Sequence, residues 1–421
     1  MRVVIHGKIS LRFIEPSCLY CLFITTKTLS HQEIYFDVLT LSDYFFQRSC
    51  STISFLIHKK PYFRFMKTGL ESLKVIEIAS VLAGPSVGMF FAEMGAKVIK
   101  LENKKTGGDV TRSWKLPEEN QTSTISAYFA SINWHKEYHF VDFEENEDQK
   151  KVIELIRDAD VLILNFKKGD AEKFGLDYSK IHVLNPRLIY AEISGFGENS
   201  DRVAYDLILQ AESGFMSMNG TEDSGPVKMP VALIDILAGH QLKEGILVGL
   251  LQRQNTGQGC RVHVSLFDSA IASLANQASN WLMAGKNPER IGSKHPNIAP
   301  YGELFTTKEG KIITLAIGSD RHFKKLCESL ELAELITTSD FISNQSRVKN
   351  RKKLAEILSK KISLISSDVL IKKLNHELVP VAIIKDLKEV FQNPETSKLI
   401  LEELIDGQLT RRVKSVAFTI S

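Results

Sequence analysis

The sequence predicts an α/β protein with a parallel sheet and a smaller, separable domain towards the C-terminal end. Two observations carry this. Short runs of strand-forming residues alternate with helical periods between residues 73 and 193, and residues 320–375 hold a Lys- and Glu-rich helical pattern of their own.

In order along the chain, Leu73-Lys-Val-Ile-Glu-Ile-Ala79 reads as a strand, because its apolar run is short and β-branched. Gly84-Pro-Ser-Val-Gly88 then turns into a helix through Met94, and Lys97-Val-Ile-Lys-Leu-Glu102 is the next strand, which completes a βαβ unit. A second unit follows, with a helix over Asp148–Asp158, a strand over Val161–Asn165, an apolar stretch over Ile181–Leu184 and a strand over Leu188–Ile193 that ends in Ser194-Gly-Phe-Gly197. Strands joined in this way place ligands at their C-terminal ends. Further on, Lys311–Ile317 and Val379–Asp386 read as strands on either side of the helical segment.

The turn Ser80-Val-Leu-Ala-Gly-Pro-Ser-Val-Gly88 opens a helix directly after a strand, so its N–H groups are placed to face a phosphate or a carboxylate; a purely structural tight turn is the alternative. It matches neither the GxGxxG nor the Walker pattern, which leaves nicotinamide and ATP sites without a motif.

Asp235 is the main candidate for chemistry. Val231–Ile234 reads as a short strand end, and Ile236–Gln254 has apolar residues at helical spacing, so Asp235 falls at the helix N-cap. There the partial positive charge of the helix end would hold its carboxylate ionised and fixed, as a nucleophile requires. A simple cap, contributing about 1 kcal/mol, is the other reading.

With 421 residues, 43% hydrophobic and 24% charged, the chain has the composition of an ordinary globular protein with room for two domains. No run approaches eighteen apolar residues, so no membrane span is expected. Residues 1–65 hold 8 Lys and Arg against 4 Asp and Glu, leaving 45 against 46 for the rest, so the formal +3 belongs to the extension and the body has no charge support for nucleic acid. The extension also holds Cys18, Cys21 and Cys50, but its CxxC spacing has no second pair to make a metal or redox site. We expect Met66 to be the real start and residues 1–65 an over-called upstream translation or a dispensable, poorly ordered tail, and the body's two cysteines to suit a reducing cytoplasm.

Ordered motifs carry more. Leu73-Lys-Val-Ile-Glu-Ile followed by Ala83-Gly-Pro, Met94-Gly-Ala-Lys-Val-Ile-Lys-Leu-Glu102, Gly107-Gly-Asp-Val-Thr-Arg112, Asp160-Val-Leu-Ile-Leu-Asn-Phe166 with Gly169, Asn185-Pro-Arg-Leu-Ile-Tyr190, Ser194-Gly-Phe-Gly197, Tyr205-Asp206 with Gln210-Ala211 and Ser213-Gly214, and Thr256–Asp268 appear in sequence. Together they resemble the class III CoA-transferase family, the CaiB/BaiF type, from about Leu73 to Ser421. The resemblance implies a Rossmann-like CoA-binding domain over 66–265, completed by about 384–421, a small domain over 290–360, and two ring-shaped chains interlocked as a homodimer. It puts the family's nucleophilic aspartate on Asp235, with the amides of Leu82, Ala83 and Gly84 near its oxyanion. The substrates implied are an acyl-CoA and a carboxylic acid, with no metal.

The same resemblance places Val81, Lys136, Asn165, Phe166, Lys173, Phe174 and Tyr205 at positions that touch CoA. Where relatives often carry Arg after the second strand, this chain has Asn103, and Lys104 or Lys105 is the expected substitute. Tyr205 replaces the His of the racemase branch; a phenol with an ordinary pKa near 10 is a poor α-proton shuttle. The segment Asn297–Phe305 lacks the glycine-rich loop of formyl-CoA transferase, which argues against oxalate–formate exchange. His240 and His263 are expected to be structural. The reading is therefore a CoA-transferase acting through aspartyl anhydride and thioester intermediates, with an acyl-CoA racemase or a silent CoA-binding homologue as alternatives.

Overall fold

A computed structural model describes residues 69–420 and, before them, the backbone of three short antiparallel strands, Val4–Ile5, Ile9–Arg12 and Phe23–Thr25. Met1–Phe63 and Arg64–Ser421 form two separate units. The expectations for Cys18, Cys21, Cys50 and Met66 lie outside the described residues.

Elements are numbered here from Lys74. The large sheet has β1 (Lys74–Ile78), β2 (Lys97–Asn103), β3 (Lys136–Val141), β4 (Val161–Leu164), β5 (Ile189–Ser194) and β6 (Arg261–Ser265). All neighbours pair in parallel, in the order 3-2-1-4-5-6. This is the doubly wound order, in which the chain leaves β1 towards one edge and β4 towards the other, so a crevice opens above their C-terminal ends. Strands covered on both faces need apolar residues throughout, as Val161-Leu-Ile-Leu164 shows with all four buried.

One face is covered by α1 (Ala83–Glu93), α8 (Leu233–Thr256) and α9 (Leu266–Ala272). The other is covered by α3 (Asn146–Arg157) and α5 (Tyr178–Leu184). α1 carries no charged residue before Glu93 and is buried almost end to end, so it is an internal helix. Its approach to α8 depends on Gly239, where a Cβ would lie 2.4 Å from the Ser86 hydroxyl. Between these elements stand α2 (Ala127–Ile132), α4 (Asp170–Lys173), α6 (Asp206–Glu212) and α7 (Phe215–Met218). The helix α10 (Ala275–Ala284) leads away from α9.

A separate apolar core runs from Phe305 to Val379. It joins the antiparallel sheet of β7 (Tyr301–Thr306), β8 (Ile312–Ala316) and β9 (Val381–Ile383) to α11 (Asp320–Ser329), α13 (Arg351–Ile362) and α14 (Ser367–His376), with α12 (Asn344–Lys349) between α11 and α13. After α15 (Leu387–Phe391) and α16 (Pro394–Ser397), the hairpin β10 (Ile400–Ile405) and β11 (Gln408–Val413) brings the chain back to the large sheet's core. There the buried Glu93 carboxylate accepts the backbone N–H groups of Ser415 and Val416 at 2.8–3.0 Å. Among the described residues, no helix is long and apolar enough to cross a membrane.

Candidate active site

The crevice between β1 and β4 holds a cavity of about 550 Å³. Its floor is stitched by Asn165, just past β4, whose side-chain oxygen accepts the Ser80 N–H at 3.0 Å and whose amide donates to the Ser80 carbonyl at 2.8 Å. One residue further, Val81 has φ +72°. A β-branched residue in the left-handed region is strained by about 1–3 kcal/mol and persists only where its surroundings hold it. Its N–H donates to Asp109 Oδ1 at 3.3 Å.

The loop then enters α1 with Leu82 as N-cap, and no side chain caps the helix. Among the described residues, the N–H groups of Leu82, Ala83 and Gly84 have no hydrogen-bond partner, while Pro85 has none to offer. An uncapped, internal helix end of this kind presents free donors and partial positive charge. Leu82 and Ala83 line the cavity; Gly84 does not, and instead allows the tight turn, since a Cβ there would lie 2.5 Å from that of Ala79.

Asp235 lines the same cavity and is 6% exposed. The structure corrects two expectations about it. Val231 and Ala232 are not strand, and Asp235 is the third residue of α8 rather than its N-cap. The cap is supplied from a distance by Asp206, the first residue of α6. Its Oδ1 accepts the N–H groups of Ile234 at 2.7 Å and Asp235 at 3.4 Å. Its other oxygen accepts from the fully buried Gln210 amide at 2.6 Å, and Gln210 in turn accepts the Met229 N–H at 2.8 Å. This chain of bonds ties the approach to α8 onto α6.

The second correction concerns charge. Burial, and then the neighbouring Asp206 carboxylate, push the Asp235 pKa up to about 7, so Asp235 is not held firmly ionised as its place at the helix end suggested. Tyr128 on α2 belongs to the same group: burial, followed by the charges of Asp235, Asp206 and Asp109, raises its phenol to about 12. Sequence reasoning missed the parts played by Asp206, Tyr128 and Asp109. Asp206 gave no local signal of this part, because it caps α8 from 29 positions away.

At the far end of the cavity, Phe143, Phe166 and Phe174 pack edge to face or tilted, with centroids 5.5–6.1 Å apart. Asn103 lines the cavity and turns its side chain onto the Lys105 N–H at 2.9 Å. Val81, Asn165 and Tyr205 also line it, Tyr205 as an exposed residue at the mouth. Lys104 and Lys173 lie outside the wall. Lys173 pairs with Glu144, which Lys105 also holds at 2.6 Å, and the two ammonium groups bring the Glu144 carboxyl down to about 2.

Lys136 is a plain correction. Expected at a CoA phosphate, its ammonium is wholly buried beneath α1, where it meets Glu77 at 2.8 Å, the Asn133 side-chain oxygen at 2.8 Å and the Pro85 carbonyl at 2.9 Å. It has no free direction towards a ligand. His240 lies on an exposed part of α8, and His263 on β6 contacts the Ser194 hydroxyl at 2.9 Å at the cavity edge. No cluster of potential metal ligands occurs among the described residues.

The strand order and the crevice define a doubly wound α/β protein whose ligand site sits at the topological switch point. Comparison with known proteins narrows this. Residues 70–421 match the model of CoA-transferase family III. The succinate–glutarate CoA-transferase of Agrobacterium fabrum is 38% identical over 335 residues, covering 78% of this chain and 83% of that protein. The human succinyl-CoA:glutarate CoA-transferase is 35% identical, covering 77% and 74%. A crystal structure of a CaiB/BaiF family protein from Brucella suis superposes with a TM-score of 0.71 at 36% identity, over 83% of this chain and 93% of that one. The chain belongs to CoA-transferase family III, and as an enzyme it is a CoA-transferase.

Proposed function

We propose that the enzyme moves CoA between dicarboxylic acids through covalent intermediates on Asp235. The observation that carries this is a buried carboxylate and an uncapped helix end on the wall of one cavity. The Asp235 carboxylate attacks the thioester carbonyl, giving a mixed anhydride and releasing CoA thiolate. The thiolate attacks the aspartyl carbonyl, giving an aspartyl-CoA thioester and freeing the donor acid. The acceptor carboxylate then attacks that thioester to form a second anhydride, and the thiolate takes the new acyl group and regenerates Asp235.

Each step passes through a tetrahedral oxyanion, for which the free N–H groups at the start of α1 are suited donors. A carboxylate near pH 7 is half protonated here, and a protonated acid is no nucleophile; the rate should therefore climb as the pH passes through about 7. Burial also keeps water from the anhydride and thioester, both of which hydrolyse readily. The similarity to two succinate–glutarate enzymes supports a dicarboxylic donor and acceptor. Tyr205 in place of a histidine favours transfer over racemisation.

In this reading the aromatic trio takes the nucleotide end of CoA, with Lys104, Lys105 and Lys173 at its phosphates, and 66–265 with 384–421 forms the CoA-binding domain beside a small domain that runs past the expected 290–360 to take in α14 and β9. The exposed Trp281, Leu282 and Met283 on α10 are the kind of surface a homodimer covers, to be checked by light scattering. The free thiols of Cys260 and Cys327 suit the cytoplasm. The direct test is intact-mass spectrometry of the enzyme with succinyl-CoA, trapped by hydroxylamine or borohydride, beside Asp235→Ala. An adduct on Asp235 is expected. Its absence from an enzyme that binds CoA would replace this reading with the racemase or silent-binder one.

A further inference from the structure

We infer that Asp109 is a positioning residue for the reaction: it anchors the strained Val81 loop from which the α1 donors face the cavity. This rests on the proposed role of those donors, but the geometry behind it is independent of the chemistry.

Beneath the loop lies a set of charged side chains with almost no exposure. Glu77 on β1 and Lys100 on β2 stand opposite each other in the strand register and meet at 2.8 Å. Lys100 also reaches Asp109 Oδ2 at 3.1 Å and donates to the Ala79 carbonyl at 2.5 Å. Lys136 holds the other Glu77 oxygen and the Pro85 carbonyl. Asp109 is 2% exposed, and its Oδ1 accepts from Thr111 through both N–H and hydroxyl, as well as from Val81. Its own N–H donates to Glu102, which is clamped by Arg112 in a two-pronged pair.

Besides the two bonds by which Asn165 holds Ser80, the buried charges grip the loop at three backbone points. Lys100 takes the carbonyl before it, Asp109 the N–H of its strained residue, and Lys136 the carbonyl in the first turn of α1. Of these, only Asp109 acts on Val81 itself. A buried carboxylate is costly unless it is paired and hydrogen-bonded, and here Lys100 and Thr111 keep it ionised below the ordinary Asp range against the effect of burial. Removing the acceptor frees Val81 to leave φ +72°, and the following N–H groups turn with it.

The test compares Asp109→Ala and Asp109→Asn by steady-state transfer from succinyl-CoA and by hydrogen exchange of the intact, ligand-free enzyme. In D109A, kcat is expected to fall about a hundredfold, with KM for the CoA substrate moving less than threefold. The hydrogen-bonded amides in this stretch, those of Ser80, Val81 and Ser86, should exchange at least tenfold faster while those of α8 keep their rates. D109N, whose amide oxygen still accepts from Val81 and Thr111, should recover at least tenfold of the lost kcat and restore the protection. A folded D109A with wild-type exchange over 80–86 and wild-type kcat overturns the inference. Should D109A fail to fold, Asp109→Ser, whose shorter side chain cannot reach Val81, takes its place: faster exchange of the Val81 amide with a lowered kcat sustains the role, and wild-type values of both overturn it. Because the exchange measurement needs no turnover, it stands even if no covalent adduct forms on Asp235, which would count against the proposed mechanism only.

Discussion

The two ends of the cavity are built on opposite plans. Beneath the start of α1, charges are buried, matched and hydrogen-bonded to backbone, and Asp206 holds the backbone that carries Asp235, so folding itself sets the positions of the donors and of the proposed nucleophile. Around Phe143, Phe166 and Phe174, the rings pack on one another but the charged groups beside them, Lys105, Lys173 and Glu144, are about half exposed. Fixed dipoles stabilise developing charge without reorganising, whereas a long flexible ligand is better met by stacking surfaces and mobile cations. The difference predicts that damage at the first end appears in turnover and damage at the second in affinity.

The largest effect should come from Asp235→Ala, with transfer lowered by about four orders of magnitude and CoA affinity nearly kept; a change in affinity alone would break the contrast. Asp235→Asn should be stabilising. The folded-state value of about 7 lies above the ordinary 3.8, so the stability gained by keeping this proton is complete below about pH 4 and is lost as the pH rises through 7. Asparagine escapes that loss, and above pH 7 the variant should gain at most about 4 kcal/mol, read as a higher melting temperature.

Next in size, Asp206→Ala should remove about 1–2 kcal/mol with the lost cap. It should also move the acid limb of the rate profile to lower pH, because a negative neighbour of Asp235 is gone. An unchanged limb would mean that burial alone sets the Asp235 value. At the other end, Phe166→Ala should weaken CoA binding about tenfold with little change in kcat, measured by calorimetry. Smallest of all, Lys173→Ala should weaken it less than threefold, with the difference vanishing in high salt, since exposed ion pairs are screened and worth little.

The sequence made the βαβ units legible because β1, β2, β4 and β5 are short apolar runs set between turns, and a parallel sheet needs little else to be recognised. Asp235 was legible as a candidate, and its exact place was not. Val231-Ala-Leu-Ile234 is an apolar stretch that suits a strand or a helix start equally, and the residue that decides the matter, Asp206, acts across 29 positions of sequence. Lys136 misled for a related reason. A lysine opening a strand resembles a surface charge, and only the register shows it turned inward to Glu77. The clue lay in Glu77 itself, an acid flanked by Ile76 and Ile78 in the buried part of the central strand, which must find buried cations or not fold. Phe166 and Phe174 were carried over from the family resemblance alone, and their packing with Phe143, more than twenty residues earlier, was not legible.

Gly88 sits in the second turn of α1 and does not line the cavity, yet a single methyl group there would fall 1.8 Å from the Glu77 carboxylate. Because two lysines pin that carboxylate, it has nowhere to retreat. A library of random variants selected for activity should therefore leave Gly88 almost as untouched as Asp235, and an alanine there at wild-type frequency would refute this. Tolerance to mutation in this enzyme is set as much by the hidden salt lattice as by the reacting groups, and a silent-looking glycine is one of its least replaceable letters.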